Sequence, residues 1–178
     1  MIDLVQAYRR LDGRYRDRLR QQGVPTEAML MWPGPIGIAW VETHELGIFD
    51  FSDAGQLAFV HPIYSGGFGS EVIDVAAWLP SDPSRWWTHN YSGWAIGDDQ
   101  LFAAELQFDP ILLHPCPLNW LAANGVGVVV MDWIMSGAAL RSIQAIVVED
   151  QEFGLEVERR LTMPVQHCPE IRVRRAAA

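Results

Sequence analysis

Two cysteines and five histidines are the side chains with the most chemistry to offer, and four of the seven fall in two short runs, His114-Pro-Cys116 and His167-Cys168-Pro-Glu170. Together they supply the imidazole and thiolate ligands of a four-coordinate zinc site. The spacing argues against one, because zinc modules separate paired ligands by about two to four residues and adjacent His and Cys side chains do not converge on one ion. No metal is therefore expected, and His114, Cys116, His167 and Cys168 are the residues that would hold one. Cys116 alone suits a nucleophile. It stands just before Pro117, at a predicted helix start, where the helix dipole lowers a thiol pKa, and His44, His61 or His89 would be its base. No strand-to-helix elbow of the G-x-S-x-G kind accompanies it, so a packed, unreactive thiol is the simpler expectation. Glu42 and His44 share a face of a predicted strand, with Asp50, Asp53, Glu71 and Asp74 on neighbouring strands or turns. Such a carboxylate-rich patch suits metal-dependent hydrolysis, although without a ligand motif these positions read as solvent-facing. Cys116, His44 and Glu42 are thus the catalytic candidates.

A second constellation favours binding over catalysis. Trp78, Trp86, Trp87, His89, Tyr91 and Trp94 fall within seventeen residues, interleaved with Arg85 and Asn90. Aromatic side chains give large contact area at little entropic cost, so an exposed patch of Trp78, Arg85, Trp86, Trp87, His89, Tyr91 and Trp94 would stack on sugars, bases or a proline-rich peptide. The loop Gly66-Gly67-Phe68-Gly69 does not complete a phosphate-binding G-x-G-x-x-G and reads as a hairpin connection.

All thirteen basic residues are Arg, and none is Lys. P-loop, pyridoxal and protein-kinase chemistry, each of which needs a lysine, are excluded in their standard forms, and no cofactor is expected. Charge is uneven: residues 23–140 carry thirteen carboxylates against the single Arg85, whereas residues 1–22 hold six Arg against three Asp and the last eight residues add Arg172, Arg174 and Arg175. An acidic body repels nucleic-acid phosphate and favours basic partners, leaving only the Arg-rich ends to touch an anionic surface.

These residues must be positioned by one α+β domain over residues 1–170, a mixed, mostly antiparallel sheet flanked by N- and C-terminal helices, with 171–178 a disordered Arg/Ala tail. At 178 residues the chain can bury about 70% of its unfolded surface without metal or disulfide staples. Val5, Tyr8, Leu11, Tyr15 and Leu19 predict one helix over 2–22, with Asp12 and Arg16 an i,i+4 pair. Strands are predicted at Ile36–Glu42, Leu46–Phe51, Leu57–Tyr64, Val72–Leu79, Ile111–Leu113 and Val126–Met131. Asp82-Pro83 reads as the start of a helical turn through Trp87; Asp98 or Gly97 caps a helix to Gln107; Pro117–Asn124 is a short helix; and Ile143, Val147, Gly154, Val157 and Leu161 predict a long C-terminal helix. Residues 110–131 lack charge but contain three prolines, so they read as soluble core and not as a membrane span. The N-terminus shows no secretory signal, and the expected compartment is the cytoplasm.

The segments Val75-Ala-Ala-Trp78, Pro80-Ser-Asp-Pro-Ser-Arg-Trp-Trp87, His114-Pro-Cys-Pro-Leu-Asn-Trp-Leu121 and Gly127-Val-Val-Val-Met-Asp132 resemble small proteins carried by bacterial prophages and mobile elements. The resemblance spans the middle third of the chain and implies no activity, cofactor or catalytic residue. The leading expectation is a non-enzymatic accessory protein that binds another protein through its Trp-rich segment and acidic body, with self-association through a terminal helix. The alternatives are a small hydrolase and an acidic inhibitor that imitates nucleic acid.

Overall fold

The computed structural model describes residues 4–30, 36–45, 47–65 and 71–162. Its architecture is α+β, built on a five-stranded antiparallel sheet. In chain order the elements are α1 (Leu4–Arg9), α2 (Gly13–Gln21), α3 (Thr26–Met29), β1 (Gly37–Thr43), β2 (Phe49–Phe51), β3 (Gln56–Tyr64), β4 (Val72–Leu79), β5 (Asp82–Thr88), β6 (Ala95–Ile96), α4 (Asp98–Gln107), β7 (Ile111–Leu113), α5 (Pro117–Ala122), β8 (Val129–Val130), α6 (Trp133–Ser142), β9 (Ile146–Val148) and α7 (Gln151–Thr162). The candidate ligands His167 and Cys168, the glycine loop at 66–69 and the tail at 171–178 lie outside the described residues.

The sheet has the order β2-β1-β3-β4-β5 and is apolar on both faces. Strand residues alternate sides, so Ala39, Val41, Ala58, Val60, Val75, Ala77 and Trp87 fill one face while Ile38, Phe59 and Trp78 fill the other. Helix α1 covers the first face with Leu4 and Ala7; α2 and α3 cover the second with Leu19, Ala28 and Met29. One helix over 2–22 cannot reach both faces, and the predicted helix is in fact broken. Asp12 does not pair with Arg16 but caps α2, accepting the Tyr15 N–H at 3.3 Å. Helix α1 sits directly on β1 at Gly37, where an added Cβ would lie 2.8 Å from the Ala7 backbone. At one end the two outer strands meet, with the Thr88 N–H donating to Gly47 O at 3.0 Å.

The C-terminal half forms a smaller layer. β6 pairs antiparallel with β8, β7 pairs in parallel with β9, and α4, α6 and α7 pack over them through Leu101, Leu140 and Val157. Ile63 and Ala76 of the large sheet meet Ile96 and Val129 of this layer in a shared cluster. Two predicted helices are corrected here. Residues 82–87 are strand, because Leu79 and Asp82 close a tight hairpin and Pro83 on an edge strand has no ladder bond to lose. The long C-terminal helix is interrupted: Ile146–Val148 pairs with β7, and Asp150 then caps α7 by accepting the Phe153 N–H at 2.8 Å. Strand β8 is also shorter than predicted, although Val128, Val129 and Val130 are all buried.

Candidate binding surfaces

The Trp-rich segment is split between the core and the surface. Trp78 is fully buried, its ring centroid 4.6 Å from that of Phe59, and Trp87 is buried on the opposite face. Trp86 packs half-buried beside Trp78, and Trp94 does the same against the C-terminal core. Tyr91 is 57% exposed and His89 half-buried. Leu79 faces Asp82 and Trp78 faces Trp86, so Pro83, Ser84 and Arg85 have no counterpart on β4 and bulge from the sheet edge. Bulges re-aim side chains, and this one lays the Arg85 guanidinium 5.3 Å from the Trp87 ring centroid. A shallow recess of about 310 Å³ beside it is lined by His44, Ser84, Arg85 and Trp86.

The carboxylate patch assembles in part. Glu42 lies opposite Asp50 across the β1–β2 ladder, and His44 Nε2 is 2.9 Å from Asp50 Oδ2, both exposed. Among the described residues no three His, Cys, Asp or Glu side chains are placed to hold a metal ion. Cys116 is buried at the start of α5, where its thiol donates to Asn119 Oδ1 at 2.8 Å. Burial raises its pKa, and the backbone N–H groups of Asn119 and Leu118 pull it only partly back, so the expected lowering by the helix start is overturned. Among the described residues no histidine nitrogen is within hydrogen-bonding distance of that sulfur.

The histidines serve structure in three different ways. His89 Nδ1 donates to Phe49 O at 3.1 Å, and its ring packs on Phe49 and Phe51 where the outer strands meet. Beside it lies an open cleft of about 640 Å³ lined by Asp50, Phe51, Asp74, His89 and Asn90. Asp74 is buried; its Oδ1 accepts the N–H groups of Val75, His89 and Asn90, and its Oδ2 accepts that of Gly93 at 2.9 Å. The carboxylate thereby shapes the connection from β5 to β6. His114 donates from Nε2 to Val126 O at 2.8 Å, with Glu149 at 3.8 Å from Nδ1. His61 is enclosed between Trp78 and Trp120, its Nε2 without a hydrogen-bond partner among the described residues, and burial drives its pKa down to about 3.

The most exposed apolar surface lies elsewhere, on α4 and α6. Leu101 and Ala104 of α4 point inward, whereas Phe102 and Leu106, one turn apart, are 36% and 60% exposed. A groove of about 330 Å³ between the helices is lined by Trp94, Leu101, Phe102, Glu105 and Ala139. The Ser142 hydroxyl donates to Glu105 across it at 2.9 Å. Met135, one turn before Ala139 on the same side of α6, is 65% exposed. Glu105 lines this groove and Asp99 lies one turn before Phe102 on α4, and among the described residues neither pairs with an arginine. Sequence reasoning passed over the site. The signal was present as apolar residues on both sides of a short helix, at 101, 102, 104 and 106.

Comparison with family models, with curated proteins and with solved structures found no match to this chain. Among the described residues no helix is long and apolar enough to cross a membrane.

Proposed function

We propose that this chain is a non-enzymatic binding protein whose α4–α6 surface takes up a basic amphipathic helix of a partner protein. The observation that carries the reading is the juxtaposition of exposed Phe102, Leu106 and Met135 with the carboxylates of Asp99 and Glu105, which pair with no arginine among the described residues. An apolar strip is recognised by apolar side chains one helical turn apart, and the acidic border selects a cationic helix and repels an acidic one. The excess of thirteen carboxylates over one arginine across residues 23–140 extends that selection to long range. A protonated, buried Cys116 bonded to an amide supports binding over thiol catalysis. The resemblance over residues 75–132 supports placing such a module in a bacterial prophage or mobile element.

The test is calorimetric titration with a synthetic Leu/Lys amphipathic helix, a Leu/Glu helix of equal length, and the double variant Leu106→Asp/Met135→Asp. Both substituted positions are exposed, so circular dichroism should be unchanged. The reading expects the Leu/Lys helix to bind at least about tenfold more tightly to the native chain than to the variant, a difference of about 1.4 kcal/mol, and the Leu/Glu helix not to bind. Equal affinity for native chain and variant, or no binding to either, overturns it.

A further inference from the structure

The strongest unassigned feature lies where α2 overlooks the hairpin turn between β4 and β5. Arg14 and Arg18 are one helical turn apart and flank Tyr15, whose ring packs edge-on against Phe59 with centroids 6.3 Å apart. Neither arginine is loose. Arg14 donates to the Tyr15 hydroxyl at 3.0 Å with its guanidinium carbon 4.7 Å from that ring's centroid, and Arg18 donates to Pro80 O at 2.7 Å. Between them and the turn is an open recess of about 410 Å³, lined by Arg14, Tyr15, Arg18, Leu57, Pro80 and Ser81.

Like charges one turn apart on a helix repel, and in a chain of net charge −9 an acidic neighbour would be the simplest relief. None is supplied: Asp17, the acid within α2, pairs with Arg20 at 2.8 Å, and among the described residues no carboxylate lies within ion-pair distance of Arg14 or Arg18. Each guanidinium spends one N–H on its anchor and keeps others for a ligand. We infer that this recess binds the phosphate dianion of a small phosphomonoester. Two guanidiniums, with the Tyr15 and Ser81 hydroxyls beside them, match two negative charges on one tetrahedral group better than they match a monocarboxylate. The exposed edges of Tyr15 and Leu57 give the organic part of the ligand an apolar floor. A polynucleotide is disfavoured, because the acidic body repels a chain of phosphates while leaving a single dianion access to one recess.

The experiment is calorimetric titration of the full chain with phenyl phosphate, inorganic phosphate, benzoate and a single-stranded oligonucleotide. It is repeated on Arg14→Gln, Arg18→Gln and the double variant. Among the described residues Arg14 is exposed and hydrogen-bonds to its neighbour Tyr15, so Arg14→Gln should keep the fold; thermal unfolding without ligand checks both single variants, Arg18→Gln giving up the Pro80 contact. Sub-millimolar binding of phenyl phosphate is expected, at least about tenfold tighter than benzoate, weakened at least about tenfold by either single change and lost in the double variant. Binding unchanged in Arg14→Gln, no binding of phenyl phosphate at about 10 mM, or an oligonucleotide bound more tightly through the same arginines overturns the inference.

Discussion

His61 makes an acid-stability prediction whose size follows from its surroundings. Its imidazole is enclosed by Trp78 and Trp120, and its pKa falls from 6.5 to about 3 because burial disfavours the cation. Above about pH 7.5 neither folded nor unfolded chain holds a proton there, and the residue adds no pH dependence. Between 6.5 and about 3 the unfolded chain binds a proton that the native chain refuses, so stability falls as pH falls; below about 3 both states are protonated and the loss levels off. At pH 4.5 the unfolded state is favoured by a factor of about 100, or about 2.7 kcal/mol. That figure depends on the unfolded pKa alone as long as the native value stays well under 4.5. His61→Phe keeps the ring contacts, removes the unpartnered Nε2 and abolishes the titration. Urea unfolding of native chain and variant at pH 7.5 and pH 4.5 isolates the effect, since the carboxylates titrate alike in both. The native chain should lose about 2–3 kcal/mol more than the variant over that interval. Parallel losses would refute the reasoning, for they would mean that His61 is hydrated or paired in the folded protein.

Two further outcomes follow from buried polar groups. In a Cys168→Ser background, native Cys116 should react with iodoacetamide at pH 7.5 at least about a hundredfold more slowly than in urea, because burial keeps the thiol protonated and out of reach; equal rates would count against its placement at the start of α5. Asp74→Ala strips the acceptor from the N–H groups of Asn90 and Gly93, leaving that of His89 to Val75 O alone, and should cost about 2–4 kcal/mol, read by urea unfolding. A loss below about 1 kcal/mol would show that the connection from β5 to β6 is held by other means.

Local pattern was enough to find the sheet and not enough to place its interruptions. β3 and β4 were legible because their β-branched and aromatic runs end at turn residues, a signal contained within the strand itself. The break between α1 and α2 was hidden because Asp12 fits two roles equally well on paper, an i,i+4 partner of Arg16 and a cap for Tyr15 N–H. Only the need to cover two opposite sheet faces selects the second. The spacing of Ile143, Val147, Val157 and Leu161 fits a helix, yet Ile146–Val148 is a strand because β7, more than thirty residues earlier, offers it a parallel ladder. No periodicity within the segment carries that information.

The burial of Trp78 and Trp87 has the same root and a more general lesson. Adjacent large apolar residues on a strand point to opposite sides, so Trp86 and Trp87 cannot both lie on one flat surface; side by side they mark a strand buried on both faces. Trp78 opposite Trp86 fills the face under α2 and α5, and Trp87 opposite Ala77 fills the face under α1. The Trp78, Trp86 and Trp87 run therefore reflects the volume that this part of a two-sided sheet must fill. Exposure came instead from a helix with apolar residues all round, where packing uses one side and leaves Phe102 and Leu106 on the other, next to carboxylates that meet no arginine among the described residues. A binding surface of that kind is legible in sequence only once the buried side of the helix is known, because every residue that forms it would serve equally well in a core.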